Sequence, residues 1–253
     1  MSGLLEVRDV IKRFAGITAL DGVTVAVGAR ELVGLIGPNG AGKTTLFNCI
    51  LGLEHLDGGR VVLGDRDITR LRVHRRARLG LGRTFQRLEL FTGMNVRDHF
   101  LVARRAHRQD GALWKDLVNR ARPTAAENEH VSATLALLEL EDVADAPVES
   151  LSLGRGRLVE LGRALMTEPA LLLLDEPSSG LDGRETEQLG ETLRAVHEHE
   201  GAAVLLVEHD LELVRQVAER LYVLDFGELI AEGPTGSVMR DDAVRRAYLG
   251  DVG

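Results

Sequence analysis

Nine consecutive residues, Gly37-Pro38-Asn39-Gly40-Ala41-Gly42-Lys43-Thr44-Thr45, carry the strongest chemical signal in the chain, and they follow directly on the apolar run Leu32-Val33-Gly34-Leu35-Ile36. Their spacing satisfies G-x-x-x-x-G-K-[ST]. Glycines there let the backbone curl until successive N–H groups face phosphate oxygens, an approach any β-carbon would block. Lys43 is placed to reach β- and γ-phosphates, and the Thr44 hydroxyl to ligate Mg2+. A helix expected from near Gly42 through Leu51 turns its positive end toward the same anion. Strand, loop and helix come in the order this chemistry needs, so the sequence is that of a nucleotide-binding protein.

Further candidates sit at the ends of apolar runs. Ala170 to Leu174 leads into Asp175-Glu176-Pro177, a pattern that reads as a buried parallel strand, and ligands of such sheets gather at the carboxyl ends of strands. Asp175 is expected to hold Mg2+ through water, and Glu176 to polarise an attacking water as general base. A strand that simply ends in solvent could finish the same way. Ala203 to Val207 delivers Glu208-His209-Asp210 to the same edge. Of the eight histidines only His209 follows a core strand like this, within reach of a γ-phosphate or the attacking water.

Three weaker signals complete the set. Leu151-Ser152-Leu153-Gly154-Arg155-Gly156 precedes leucines at helical spacing, Leu158, Leu161 and Leu165. Ser152 is a natural N-cap there, or, with glycine backbone and a helix end, part of a second anion site. Phe14 lies just upstream of the phosphate loop and can stack on adenine, with ordinary core packing as the alternative. Gln86 closes Gly82-Arg83-Thr84-Phe85-Gln86 and could contact a metal-bound water or the loop backbone.

The elements that must hold these residues follow from periodicity. Leu4 to Val10 and Gly22 to Val27 alternate as half-buried strands of a small antiparallel sheet, with a turn-rich piece at Arg13-Phe14-Ala15-Gly16. Gly58-Gly59 reads as a turn before a short strand Arg60 to Leu63. Arg70 to Arg108 is strongly basic, through Arg75, Arg76, Arg78, Arg104, Arg105 and Arg108, and reads as a solvated helical face or a docking surface for a partner protein or lipid headgroups. Pattern is lost between His107 and Asn128, which reads as an inserted, mobile surface segment. It returns with Val131, Leu135 and Leu138 as a helix. Ser179-Gly180-Leu181-Asp182 is a turn into a further helix. A strand over Leu221 to Leu224, a hairpin opened by Gly227 and a helical tail around Tyr248 close the chain.

Composition bounds the rest. At 253 residues and 44% hydrophobic content the chain can bury the core of one large α/β domain. A net charge of −8 argues against non-specific nucleic-acid binding. The single cysteine, Cys49, rules out an internal disulfide and reads as a buried thiol. No apolar run has the length of a membrane span and no secretion signal is visible, so a cytoplasmic protein is expected, attached to a membrane only through a partner.

Taken in order, the phosphate loop, Gln86, Leu-Ser-x-Gly, Asp-Glu, Ser-Gly-Leu-Asp and His209 resemble the ATPase subunit of ATP-binding cassette (ABC) transporters over nearly the whole chain. The resemblance implies an α/β fold: a P-loop NTPase (RecA-like) core, a small antiparallel β subdomain and an inserted α-helical subdomain. All would form one domain over 1–253, with core and β subdomain at about 1–86 and 168–253 and the helical part at about 87–167. By motif, Gly37 to Thr44 match Walker A, Gln86 the Q-loop and Leu151 to Arg155 the signature. Leu171 to Asp175 match Walker B, Glu176 the catalytic glutamate, Ser179 to Asp182 the D-loop, His209 the switch histidine and Phe14 the adenine-stacking aromatic.

ATP and Mg2+ are the cofactors implied. Catalysis would fall to Glu176, His209 and Gln86, metal binding to Thr44, Gln86 and Asp175, and nucleotide binding to Phe14, the loop through Thr45, Ser152, Gly154 and Asp182. Implied partners are membrane permease subunits, a second cassette ATPase, identical or paralogous, and indirectly a solute-binding protein, with the chain on the inner face of the cell membrane. Arg83-Thr84-Phe85-Gln86, the insertion, Val207-Glu208-His209-Asp210 and Arg246-Ala247-Tyr248-Leu249-Gly250 look most like ATPases of branched-chain amino acid importers. Urea or amide importers and a lipopolysaccharide-export ATPase share several of these strings, and a soluble cassette ATPase is the alternative of a different class. Arg155 departs from the glutamine usual in the signature, and Gly156 from a second one.

Overall fold

The protein is described by a computed structural model over residues 3–84, 89–108 and 122–249. Strands β1 (Leu5–Phe14) and β2 (Ile17–Val27) pair antiparallel as a long hairpin. β3 (Leu32–Ile36), buried at every position, leads through residues 37–42 into helix α1 (Lys43–Leu51). β4 (Gly58–Leu63) returns antiparallel to β1 and, with β5 (Arg66–Asp67), completes a four-stranded sheet of order β2-β1-β4-β5. After α2 (Val73–Ala77) and β6 (Leu81–Arg83) come three helices, α3 (Val96–Arg108), α4 (Ala125–Leu137) and α5 (Leu153–Leu165). The chain then alternates β7 (Leu171–Asp175), α6 (Gly183–Glu200), β8 (Ala203–Val207), α7 (Leu211–Val217) and β9 (Arg220–Asp225). It ends with β10 (Glu228–Pro234), a short α8 (Thr235–Val238) and α9 (Asp242–Leu249).

The second sheet has the order β10-β9-β3-β8-β7-β6, parallel except for β10 against β9. Its central strands are apolar throughout because both faces are covered. Side chains alternate between those faces. Val33, Leu35, Leu171, Leu173, Leu205 and Val207 pack with α1 and the inner face of the antiparallel sheet. Leu32, Ile36, Leu172, Leu174, Val204 and Leu206 pack with the other helices, through Phe100, Leu135, Leu161, Leu193 and Val214. Each leucine fully covered in this way contributes about 2 kcal/mol. This is the α/β class expected from the sequence, and it brings the ends of β3, β7 and β8 to one edge.

Several expectations are corrected. The turn between the first strands is Ala15-Gly16 alone (φ +45° and +89°), so Arg13 and Phe14 belong to β1. Gly58-Gly59 lies inside β4, where Gly59 (φ +81°) faces a bulge in β1: a β-carbon there would come within 2.3 Å of the Asp9 carbonyl. α4 begins at Ala125, earlier than the periodicity, because Thr124 and Glu127 form a capping box. Most of the segment read as inserted and mobile, residues 109–121, falls outside the described residues.

The basic run is not one solvated face. Arg104 is buried, and Arg76, 2% exposed, donates to the carbonyls of Cys49, Ile50, Thr69 and Leu71 at 2.6–2.9 Å. Two of those carbonyls close the C-terminus of α1, where a cation suits the helix dipole. Arg72, His74, Arg75 and Arg78 remain exposed.

Candidate functional site

The phosphate loop is built from backbone that only glycine adopts readily. Gly37, Gly40 and Gly42 have φ of +152°, +84° and +105°, and a β-carbon on Gly37 would lie 2.0 Å from the Leu224 carbonyl. α1 starts at Gly42 with no side-chain cap and no acid in its first turn, which leaves the positive helix end open to an anion. Lys43 is 5% exposed and donates to the carbonyls of Gly37 (2.7 Å) and Pro38 (3.0 Å). Burial lowers its pKa, while Glu176, Asp175 and Glu208 oppose that shift. Thr44 is exposed and Thr45 half-buried beside it.

Asp175 ends β7 at 7% exposure, and its buried Oδ1 has no hydrogen-bond partner among the described residues. Burial, then the charge of Glu176, pushes its pKa up to about 6, with Glu208 adding and Arg83 and Lys43 opposing. A buried carboxylate oxygen left open in an acidic setting fits a divalent cation, which would supply the missing countercharge. Among the described residues no group of three His, Cys, Asp or Glu could hold a metal. The donor set therefore suits an ion held mainly by phosphate and water oxygens, with Thr44 and Asp175 as the protein's share.

Glu176 follows in left-handed backbone (φ +47°), costly for a non-glycine residue, and is half-buried. Its N–H donates to the Val207 carbonyl at 2.8 Å and its carbonyl accepts the Ser179 N–H at 3.1 Å. The adjacent β8 is followed by Glu208, fully buried, and His209, whose ring is 54% exposed. The structure thus places Lys43, Asp175, Glu176 and His209 at one sheet edge. Phe14 stands 41% exposed at the end of β1, outside both cores, so core packing does not explain it; the Lys12 ammonium lies 4.6 Å from its ring centre. Gln86 lies outside the described residues.

The signature turn is elsewhere. Ser152 caps α5, its Oγ accepting the Arg155 N–H at 3.3 Å, and it is exposed. Arg155 pairs with Asp142 at 2.8 Å. Asp182 caps α6 in a capping box with Glu185. These two caps are neighbours: a β-carbon on Gly154 would meet Glu185 Oε1 at 2.9 Å, and Arg157 donates to the Ser179 carbonyl at 3.4 Å. Ser152, Gly154 and Asp182 therefore share one exposed face of the chain.

Sequence reasoning passed over Arg157, Glu160 and Glu208. Arg157 and Glu160, both buried, pair at 3.2 Å, and Glu160 accepts the Glu89 N–H at 2.9 Å. Their one signal was charge on what looked like an apolar helix face. Glu208 had the same signal as Asp175, an acid closing an apolar run, but His209 drew the attention.

The sequence matches the family described as "ABC transporter" over residues 20–179 and "Branched-chain amino acid ATP-binding cassette transporter" over residues 228–253. It is 37% identical, over 98% of both chains, to the Salmonella typhimurium high-affinity branched-chain amino acid transport ATP-binding protein LivG. It is 32% identical to the Escherichia coli lipopolysaccharide export system ATP-binding protein LptB, covering 98% of this chain and 97% of that one. Among solved structures, the ADP conformation of MJ1267, an ATP-binding cassette of an ABC transporter, aligns with a TM-score of 0.85 and 31% identity over 99% of this chain and 100% of the other.

Proposed function

The chain belongs to the ABC transporter family of ATP-binding subunits, and from that premise we propose that it hydrolyses ATP to drive import of branched-chain amino acids. One structural observation carries the hydrolytic reading: an open phosphate loop and the adjacent acids Asp175 and Glu176 share the same sheet edge. The solute follows from the 37% identity to LivG and from the carboxyl-terminal match at 228–253, against 32% identity to the export protein.

In this reading the triphosphate enters the loop and takes Lys43 from the carbonyls of Gly37 and Pro38, exchanging two neutral acceptors for anionic phosphate oxygens. Phe14 stacks on adenine with one ring face while the Lys12 ammonium lies over the other. Thr44 and Asp175 would hold Mg2+ together with the phosphates, where it would supply charge neutralisation for phosphoryl transfer. Glu176 takes the proton of the attacking water, and His209 steadies the γ-phosphate. Ser152 and Gly154 lie on another face, so they serve the nucleotide of a second cassette, with Asp182 beside them at that contact. ATP then favours the closed pair because only that state offers both sets of ligands.

A groove of about 440 Å³ bounded by Val73, Arg78, Arg83, Ala103 and Arg163 is the proposed seat of the permease. Among the described residues no helix is long and apolar enough to cross a membrane, so the permease would hold the chain on the inner face. The permease in turn would receive its solute from a binding protein. The test is purification of tagged Glu176→Gln protein from its native membranes with ATP. Co-purification of two polytopic subunits, and ATP-dependent uptake of leucine by the reconstituted wild-type assembly, are expected. Recovery of soluble proteins alone, or of a complex that moves lipopolysaccharide and no amino acid, would overturn the proposal.

A further inference from the structure

Glu208 is 0% exposed, and among the described residues no lysine or arginine pairs with it. Its carboxylate is divided between two loops. Oε1 accepts the Ser178 N–H at 2.9 Å, two residues after Glu176, while Oε2 accepts the N–H groups of His209 (3.0 Å) and Asp210 (3.3 Å). The Glu208 N–H donates to the Leu35 carbonyl of β3, the strand that enters the phosphate loop. The His209 ring, more than half exposed, has its Nδ1 3.7 Å from Oε2.

Burying a carboxylate costs several kcal/mol, and charge-assisted bonds from backbone amides are what offset it. An apolar residue would follow β8 without that cost but would leave three amides unmet. What the carboxylate does that no apolar side chain can do is hold two separate turns to one rigid group. The turn after β7 carries Glu176 in strained left-handed backbone, and the turn after β8 carries His209.

We propose that Glu208 is a positioning residue for hydrolysis, fixing the turns of Glu176 and His209 in one frame through its two oxygens. This rests on the hydrolytic reading above. Glu208→Gln keeps the shape but presents an NH2 group to one set of amides, so it can serve one turn and not both.

Steady-state and single-turnover ATP hydrolysis of the full chain, with binding of a fluorescent ATP analogue, test the proposal. The Glu208→Gln variant is expected to lose about 10-fold or more in kcat, with KM and analogue affinity within about twofold of wild type. Combined with His209→Ala or with Glu176→Gln, the same change should cost less than about threefold in at least one of the two backgrounds, since its effect passes through those turns. A loss that multiplies fully in both backgrounds, or affinity falling in parallel with kcat, would reduce Glu208 to packing and overturn the proposal. Hydrogen exchange of the wild type needs no variant: the Ser178, His209 and Asp210 amides should be protected alike, and exchange at open-loop rates would also overturn it. A wild type that binds the analogue but hydrolyses nothing would sink the hydrolytic reading, while the exchange data would still report on the bridge.

Discussion

Two helices offer their N-terminal ends to phosphate, and they do so in opposite conditions. α1 begins at Gly42 with no cap, its lysine folded onto loop carbonyls, inside a rigid edge between two sheets. α5 begins at Ser152 with the cap already made, its cation Arg155 already paired to Asp142, on an exposed face. The first end has donors to give within one chain. The second has its Arg155 N–H already satisfied by Ser152 Oγ and keeps the Ser152 hydroxyl proton to donate, so it offers an anion fewer open donors than the first. In the proposed mechanism the difference makes these two unequal halves of a site, one that recruits nucleotide and one that responds to it.

The sharpest break of that comparison is at the recruiting half. Glu176→Gln is expected to lower kcat by about 10³-fold, in the range of a lost general base, while the affinity for an ATP analogue stays within a few-fold. Stopped-flow phosphate release and equilibrium titration separate the two. Next in size is the buried charge of Asp175. Its carboxyl titrates near 6 in the folded protein and near 3.8 when unfolded, so between those values the native state holds the extra proton. Stability of the nucleotide-free chain should therefore fall as pH rises from about 4 to about 6, by about 3 kcal/mol from this group. Asp175→Asn should flatten that dependence in denaturant melts and raise Tm at pH 7.5, while abolishing hydrolysis.

Changes at the responding half should be smaller in the isolated chain. Ser152→Ala removes the cap and is expected to cost about 1 kcal/mol in urea unfolding. Single-chain nucleotide affinity should not change, while hydrolysis at saturating ATP should fall. Arg155→Gln breaks an exposed pair and should shift stability by less than about 0.5 kcal/mol. A large loss of analogue affinity from either substitution would erase the distinction between the two ends.

How much of this was legible in the sequence depended on whether the physics was local. The phosphate loop, the strands leading to Asp175 and Glu208, and the helix start at Ser152 could be read because strand period, glycine spacing and cap chemistry act within a few residues. Arg76 could not be told from Arg75 or Arg78, since only the distant carbonyls of Cys49 and Ile50 make it a buried anchor. The same holds for Glu208, whose role depends on an amide thirty positions away at Ser178. Phe14 was open between core and surface until both cores were seen to close without it. That Ser152 and Asp182 share a face is likewise a contact between helices and left no trace in spacing.

Sedimentation velocity of the Glu176→Gln chain with Mg-ATP tests most directly whether the two halves are completed only between copies. A two-chain species at micromolar concentration with ATP, absent with ADP and weakened by adding Ser152→Ala, is the expected result. A chain that stays single at every nucleotide and concentration, while the wild type hydrolyses ATP at a rate independent of protein concentration, would contradict it.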